Sequence, residues 1–333
     1  MENRILSVTA NTLVKDYGQY VESFELTFEP GSDLSGVTGE CFAFSKTAKH
    51  PLAGHESLGV WKTGKEGDTV TVSVDPFLFT DTYEGEALIG GEKISLSRAD
   101  VTQTRVAVVD DFGTFETENG MVYRLLIPES DGPLPLVVAF HGNGERGTDG
   151  LRHMVNNRVI TKWGEPVSQA RYKCIVLGPQ SNDSWSDAEL AEVRTIIDRL
   201  IEEKKADPHR IYAAGLAAFQ ATLRFSAANA DLLAGVLAML FWKQYTPDLS
   251  PLADLPIWMA IGVNDSTGES PFAREAYQYL TEKLHNDKAR ITVFPEEQMM
   301  SYGLYGSMTH WGWIPALDDP EICDWLFGNI RQD

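Results

Sequence analysis

The sequence predicts an α/β protein in which a small all-β sandwich precedes a mostly parallel sheet with helices on both faces. Three observations carry this. The first third alternates apolar and polar residues in short runs, such as Thr69-Val70-Thr71-Val72-Ser73-Val74, between Gly, Pro and Asp clusters. After about residue 110 the runs become continuously apolar, as strands buried on both faces require. Between those runs lie segments with apolar residues at helical spacing, and strands that alternate with helices form a parallel sheet.

In chain order, residues 1–105 form the sandwich domain and 106–333 the α/β domain. Within the sandwich, Ser23-Phe24-Glu25-Leu26-Thr27-Phe28 is a further alternating run, and His50 and His55 read as solvated loop histidines. The second domain opens with a hairpin over 112–127 that turns at Glu118-Asn119-Gly120. Strands follow over 134–140, 173–177, 210–214, 234–240, 256–261 and 291–294. The segment 188–204 carries Leu190, Val193, Ile196, Ile197, Leu200 and Ile201 on one helical stripe. Helices are also expected over 272–284 and 320–330.

Composition removes several function classes. A net charge of −20 repels nucleic acid and anionic membranes. No stretch approaches the roughly 20 apolar residues that cross a bilayer. The amino terminus shows no basic segment followed by an apolar one, so the sequence as it stands reads as cytoplasmic, or as exported if a signal peptide has been removed. Cys41, Cys174 and Cys323 are far apart and suggest neither a disulfide framework nor a metal site, only buried free thiols.

In a parallel sheet, chemistry gathers beyond the carboxyl ends of the strands. After the first buried strand comes His141-Gly142-Asn143-Gly144-Glu145-Arg146-Gly147, whose glycines allow a sharp turn with outward N–H groups, as an oxyanion hole needs. A nucleotide loop does not fit, because the Walker spacing and its Lys-Ser/Thr are missing. After the strand 210–214 comes Gly215-Leu216-Ala217-Ala218-Phe219-Gln220 and then an apolar helix. That is the strand–turn–helix setting of a nucleophile elbow, with Ala217 in the nucleophile slot. Taken alone, this stretch reads better as an ordinary βα turn. Asp265 follows the strand 256–261, where an aspartate can fix a histidine tautomer or simply cap a helix. His310 lies in a loop near the carboxyl terminus. Slot, Asp and His stand in the order of the α/β-hydrolases.

With those residues in view, Leu136 to Gly147 resembles the HGxGERG oxyanion segment of the dienelactone hydrolase and polyhydroxybutyrate-depolymerase-like esterases. Ala206-Asp207-Pro208-His209-Arg210-Ile211-Tyr212 is similar to the lead into their elbow. His310-Trp311-Gly312-Trp313, with Asp318-Asp319-Pro320 and Asp324-Trp325-Leu326, is similar to their histidine loop and last helix. The resemblance covers about residues 110–330, and some relatives carry an N-terminal immunoglobulin-like domain. It implies an α/β-hydrolase fold and a Ser-Asp-His triad with Asp265 as acid, His310 as base and the N–H groups of Asn143 and Ala218 as oxyanion hole. It implies no metal and no cofactor. Ala217 stands where the serine belongs, and Phe219 and Gln220 stand where the family has small residues.

Two explanations compete for Ala217. A deliberate Ser→Ala replacement would leave Asp265, His310 and the Gly-rich turn intact, as they are; natural drift toward a binding protein would also alter the elbow, as Phe219 and Gln220 do. Either way the chain is expected to have almost no esterase turnover. Ser226, Ser184 and Ser186 are poor substitutes, the first on the wrong side of a helix and the others without an elbow. Trp185, Phe219, Trp242 and Trp311 are expected to line a cleft for an apolar or aromatic ester, with Met299, Met300 and Tyr302 at its rim. A serine peptidase and a non-catalytic ligand-binding protein remain open as alternatives. The expected partner is a small-molecule ester, and self-association through the sandwich stays open.

Overall fold

The computed structural model describes residues 4–47, 55–216, 221–239, 248–265 and 270–332. Ala217, Ala218, Phe219, Gln220, Trp242 and His50 lie outside the described residues. The chain divides into two compact units, Met1–Asp111 with Val155–Asn157, and Phe112–Met154 with Arg158–Asp333.

The first unit is a sandwich of two sheets. One holds β1 (Ile5–Lys15), β2 (Gly18–Phe28), β5 (Val60–Glu66), β6 (Thr69–Leu78) and β9 (Gln103–Ala107) in the order β5-β6-β2-β1-β9. The other holds β3 (Phe42–Thr47), β4 (His55–Leu58), β7 (Thr82–Ile89) and β8 (Glu92–Ser97) in the order β4-β3-β7-β8. Pairing is antiparallel except between β1 and β9. The alternation does what a half-buried strand needs: Val70, Val72 and Val74 point into the core while the threonines and serine between them face the other way. Phe24 stacks on Phe44 at 5.3 Å in the centre. His55 begins β4, paired with Thr47 of β3, so it is not in the loop the sequence suggests. The unit also runs past residue 105, because β9 continues to Ala107 and the Asp110 carboxylate then accepts the Val106 N–H at 2.8 Å.

The second unit is built on an eight-stranded sheet. Its strands are β10 (Gly113–Glu116), β11 (Val122–Leu126), β12 (Leu134–Phe140), β13 (Ile175–Pro179), β14 (Ala206–Leu216), β15 (Gly235–Met239), β16 (Ile257–Gly262) and β17 (Ala289–Phe294). The order is β10-β11-β13-β12-β14-β15-β16-β17. The leading hairpin joins antiparallel and every later pair is parallel. Every residue of β12, β13, β15 and β16 is buried, which is why their sequences are continuously apolar. The helix Asp187–Glu202 starts at a capping box, where Ser186 and Glu189 satisfy each other's backbone N–H groups. It buries Leu190, Val193, Ile196, Ile197 and Leu200, the stripe the sequence shows. The helix Ser270–Gln278 ends in a π turn over Tyr279–Lys283, and Pro320–Gly328 begins at the Asp319 cap.

The three cysteines are free; Cys174 and Cys323 are buried and Cys41 is half-buried, close to Thr38. Burial pushes the Cys174 thiol up to about 12. Among the described residues no helix is long and apolar enough to cross a membrane.

Candidate active site

The candidate residues stand at or just beyond the carboxyl ends of β12, β14 and β16. The first link is made by Gly215. It pairs with Phe140 across β12 and β14, and a Cβ there would stand 2.6 Å from the Phe140 carbonyl oxygen. Only glycine allows that approach. The strand ends at Leu216 and the helix Ala221–Ala228 follows, which leaves positions 217–220 between strand and helix.

Asp265 lies just beyond β16 with its side chain fully buried, and His310 lies in the short 3₁₀ turn Gly306–His310. The His310 Nδ1 is 3.2 Å from both carboxylate oxygens of Asp265. A carboxylate only accepts, so the Nδ1 carries the hydrogen. In the neutral ring the Nε2 then holds the lone pair, which is the state a general base requires. The imidazole keeps a quarter of its surface exposed while its partner keeps none.

The two loops touch through backbone. A Cβ on Gly262, the last residue of β16, would meet the Thr309 carbonyl oxygen at 2.3 Å, and one on Gly312 would meet the Gly262 nitrogen at 2.6 Å. The buried Thr309 hydroxyl lies 2.8 Å from the Gly306 carbonyl and also against that of Asn264, so it ties the histidine loop to the aspartate loop. This placement reflects the pattern Gly-x-x-Asp against Thr-His-x-Gly in the sequence.

The Gly-rich turn is held from beneath. Asn143 is exposed and starts the 3₁₀ turn Asn143–Glu145. The buried Gln180 accepts the Gly150 N–H at 2.7 Å and donates to Asp149 at 2.9 Å and to the Glu145 carbonyl at 3.2 Å. Gly147 donates to the Ser181 carbonyl at 3.0 Å. His141 is buried as well, and burial pushes its imidazole down to about 4. The sequence gives no sign of Gln180; it shows His141 at the head of the Gly-rich turn, directly after a fully apolar strand, but not its partners.

Other expected site residues stand as follows. Trp185 is a correction: it has no exposed surface, because it packs between Phe140 at 5.2 Å and His141 at 4.7 Å, with its indole N–H toward the His141 carbonyl. It supports the turn and does not line a cleft. Met299 is core and Met300 is exposed, so only the latter suits a rim. Trp311 is half-buried next to His310. Ser226 is buried and donates to the Thr222 carbonyl, and Ser186 is a helix cap. Among the described residues no group of His, Cys, Asp and Glu could hold a metal.

No family model matches this chain, and no curated protein matches it. Among solved structures it is similar to the crystal structure of a thermostable esterase, with a TM-score of 0.80 and 23% identity over 98% of this chain and 100% of that one. A more distant likeness is to a puromycin-hydrolysing peptidase of Mycobacterium tuberculosis, with a TM-score of 0.47 and 14% identity over 96% of this chain and 56% of that one. At such identity the first likeness speaks to architecture. The sheet order, the parallel strands after a leading antiparallel hairpin, and this likeness together make the second unit an α/β-hydrolase fold, carried behind an N-terminal β-sandwich.

Proposed function

We propose that the chain has the architecture of a carboxylic ester hydrolase whose nucleophile position, Ala217, has lost its serine. The observation that carries this reading is the Asp265–His310 pair at 3.2 Å, set at the same sheet end as Leu216, the last residue of β14 before position 217. A structural ion pair has no need of an exposed imidazole with its lone pair on Nε2.

In the serine form, the hydroxyl at 217 attacks an ester carbonyl and His310 Nε2 takes its proton. The tetrahedral oxyanion is held by the N–H groups of Asn143 and Ala218. His310 returns the proton to the leaving alcohol, and water releases the acyl group by the same steps. Asp265 orients the ring and stabilises its charged form. The chemistry needs no metal or organic cofactor. An apolar or aromatic ester is the substrate class, with Phe219, Trp242 and Trp311 as the lining that remains once Trp185 is assigned to the core. The sandwich is read as an immunoglobulin-like module.

The retained acid and base favour a single deliberate Ser→Ala replacement. Phe219 and Gln220 favour a second reading, a natural binding protein that kept the pocket. Reverting Ala217→Ser and assaying p-nitrophenyl, aryl and hydroxycinnamoyl esters separates them. Turnover by the serine form alone supports the hydrolase. Folded protein without turnover in either form rejects it and moves the search to ligands.

A further inference from the structure

We infer that His141 is a positioning residue that fixes the orientation of the Gly142–Asn143 peptide, and with it the Asn143 N–H. The oxyanion role of Asn143 rests on the hydrolase reading; the orientation of the peptide does not.

The imidazole is bonded at both nitrogens. Its Nε2 lies 2.9 Å from the Ser181 backbone nitrogen, and its Nδ1 lies 2.6 Å from the Gly142 carbonyl oxygen. A backbone N–H only donates, so Nε2 holds the lone pair and Nδ1 holds the hydrogen that the Gly142 carbonyl accepts. The tautomer is thus fixed by two partners of opposite kind. All described peptide bonds are trans, and in a trans peptide the N–H points opposite to the C=O. Pinning the Gly142 oxygen inward on the ring therefore sends the Asn143 N–H outward.

The turn lies beside the end of β14: a Cβ on Gly142 would stand 3.2 Å from Cδ1 of Leu216. The ring itself cannot swing. It is 1% exposed, and Trp185 lies against it at 4.7 Å while donating to its backbone carbonyl. His153, also fully buried, stands 5.9 Å from it. An oxyanion donor must be fixed before the reaction begins, and this strut supplies that fixity.

The two bonds can be separated by substitution. The amide nitrogen of His141→Asn stands near the place of Nδ1 and keeps the donor to Gly142. His141→Gln reaches toward Ser181 and drops the donor to Gly142. Both are made in this chain for crystallography and in the Ala217→Ser background for kinetics. We expect the 142–143 peptide to hold in H141N and to rotate in H141Q. We expect kcat to fall on the order of 100-fold or more in H141Q, with KM within about threefold, and to stay within about tenfold of its parent in H141N.

Equal kcat losses with an unmoved peptide in both variants would overturn the inference. If the Ala217→Ser background shows no turnover, the crystals decide alone. A rotated peptide in H141Q upholds the positioning role while the hydrolase reading falls; an unmoved one overturns it. Should H141Q not fold, imidazole ¹⁵N shifts of the unaltered chain at neutral pH decide. The Nδ1–H tautomer is expected; the Nε2–H form would leave the Gly142 carbonyl only the long 3.4 Å bond from the Glu145 N–H and remove the basis of the inference.

Discussion

The two ends of the eight-stranded sheet are made by the same strands and bury different chemistry. At the amino ends, polar groups close on nearby backbone. The Asn286 amide donates to the carbonyls of Leu252 and Leu255 at 2.7 and 2.9 Å, and its oxygen accepts the Lys288 N–H. The Tyr212 hydroxyl donates to the Asn329 carbonyl at 2.8 Å, and His209 exchanges bonds with the Arg331 backbone. At the carboxyl ends, buried groups bear on atoms that reach the surface. Asp265 holds the exposed edge of His310, and His141 holds the peptide of the exposed Asn143. Satisfied polar groups at one end fasten the fold, while those at the other fix groups that reach the surface.

The sharpest way to test that contrast is to restore the nucleophile. Ala217→Ser is expected to raise ester turnover by at least about 10³-fold over this chain, since losing a triad nucleophile costs up to the order of 10⁶. Asp265→Asn in the serine form should lower kcat by roughly 10⁴, because the wrong imidazole tautomer is then favoured. Asn286→Ala should leave kcat unchanged and lower stability by about 1–3 kcal/mol. A loss of kcat with Asn286→Ala as large as with Asp265→Asn would erase the distinction between the two ends.

Acid should strike the carboxyl end. Burial pushes His141 down to about 4 and His153 to about 3, both from 6.5. The unfolded chain therefore takes up two protons that the folded chain refuses as pH falls below 6.5. The stability these neutral rings contribute is complete above 6.5 and drains as pH falls toward 4, by up to about 2.7 kcal/mol per pH unit. Urea midpoints between pH 7 and 5 measure this. Replacing His153 by a neutral residue should halve the imidazole share of the slope; an unchanged slope in that variant would contradict it.

Much of this architecture is legible in the chain. The run 134–140 coincides with β12 because a strand buried on both faces leaves no polar residue to blur its limits. Strand β17 begins two residues earlier than its apolar run suggests, since at the sheet edge Arg290 can point to solvent while the backbone pairs with β16. Asp265 and His310 are readable because the order of strands along the chain sets which loops share an end. Trp185 is misread because burial depends on Phe140 and His141, which come from another segment. The roles of His141 and Gln180 are unreadable for the same reason: a polar residue's role is set by its partner, and Ser181 is 40 positions from His141.

Close backbone contact gives a smaller and more local test. Gly312→Ala must push apart the Gly262 and Gly312 backbones, which costs about 1–3 kcal/mol or more. At the amino end, Gly235→Ala meets only the Leu326 side chain at 3.4 Å and the Asn329 side chain just beyond, and should cost less than about 1 kcal/mol. In the serine form Gly312→Ala should also lower kcat by displacing His310. Thermal midpoints and kcat measured together on both variants decide whether the carboxyl end is the one where packing and chemistry are joined.

The smallest effect is the most diagnostic of how that join works. Trp185→Phe keeps a ring against His141 and Phe140 but removes the indole N–H, whose bond to the His141 carbonyl is long at 3.4 Å. A single neutral bond of this kind contributes about 0.5–1.5 kcal/mol, so a modest drop in the unfolding midpoint is expected. If Trp185 acts only as core, kcat in the serine form will not move with it. If it steadies the strut beneath Asn143, kcat should fall several-fold while KM holds, since a looser oxyanion donor weakens the transition state and leaves ground-state binding alone. A rise in KM with constant kcat would instead return Trp185 to the cleft, against its complete burial.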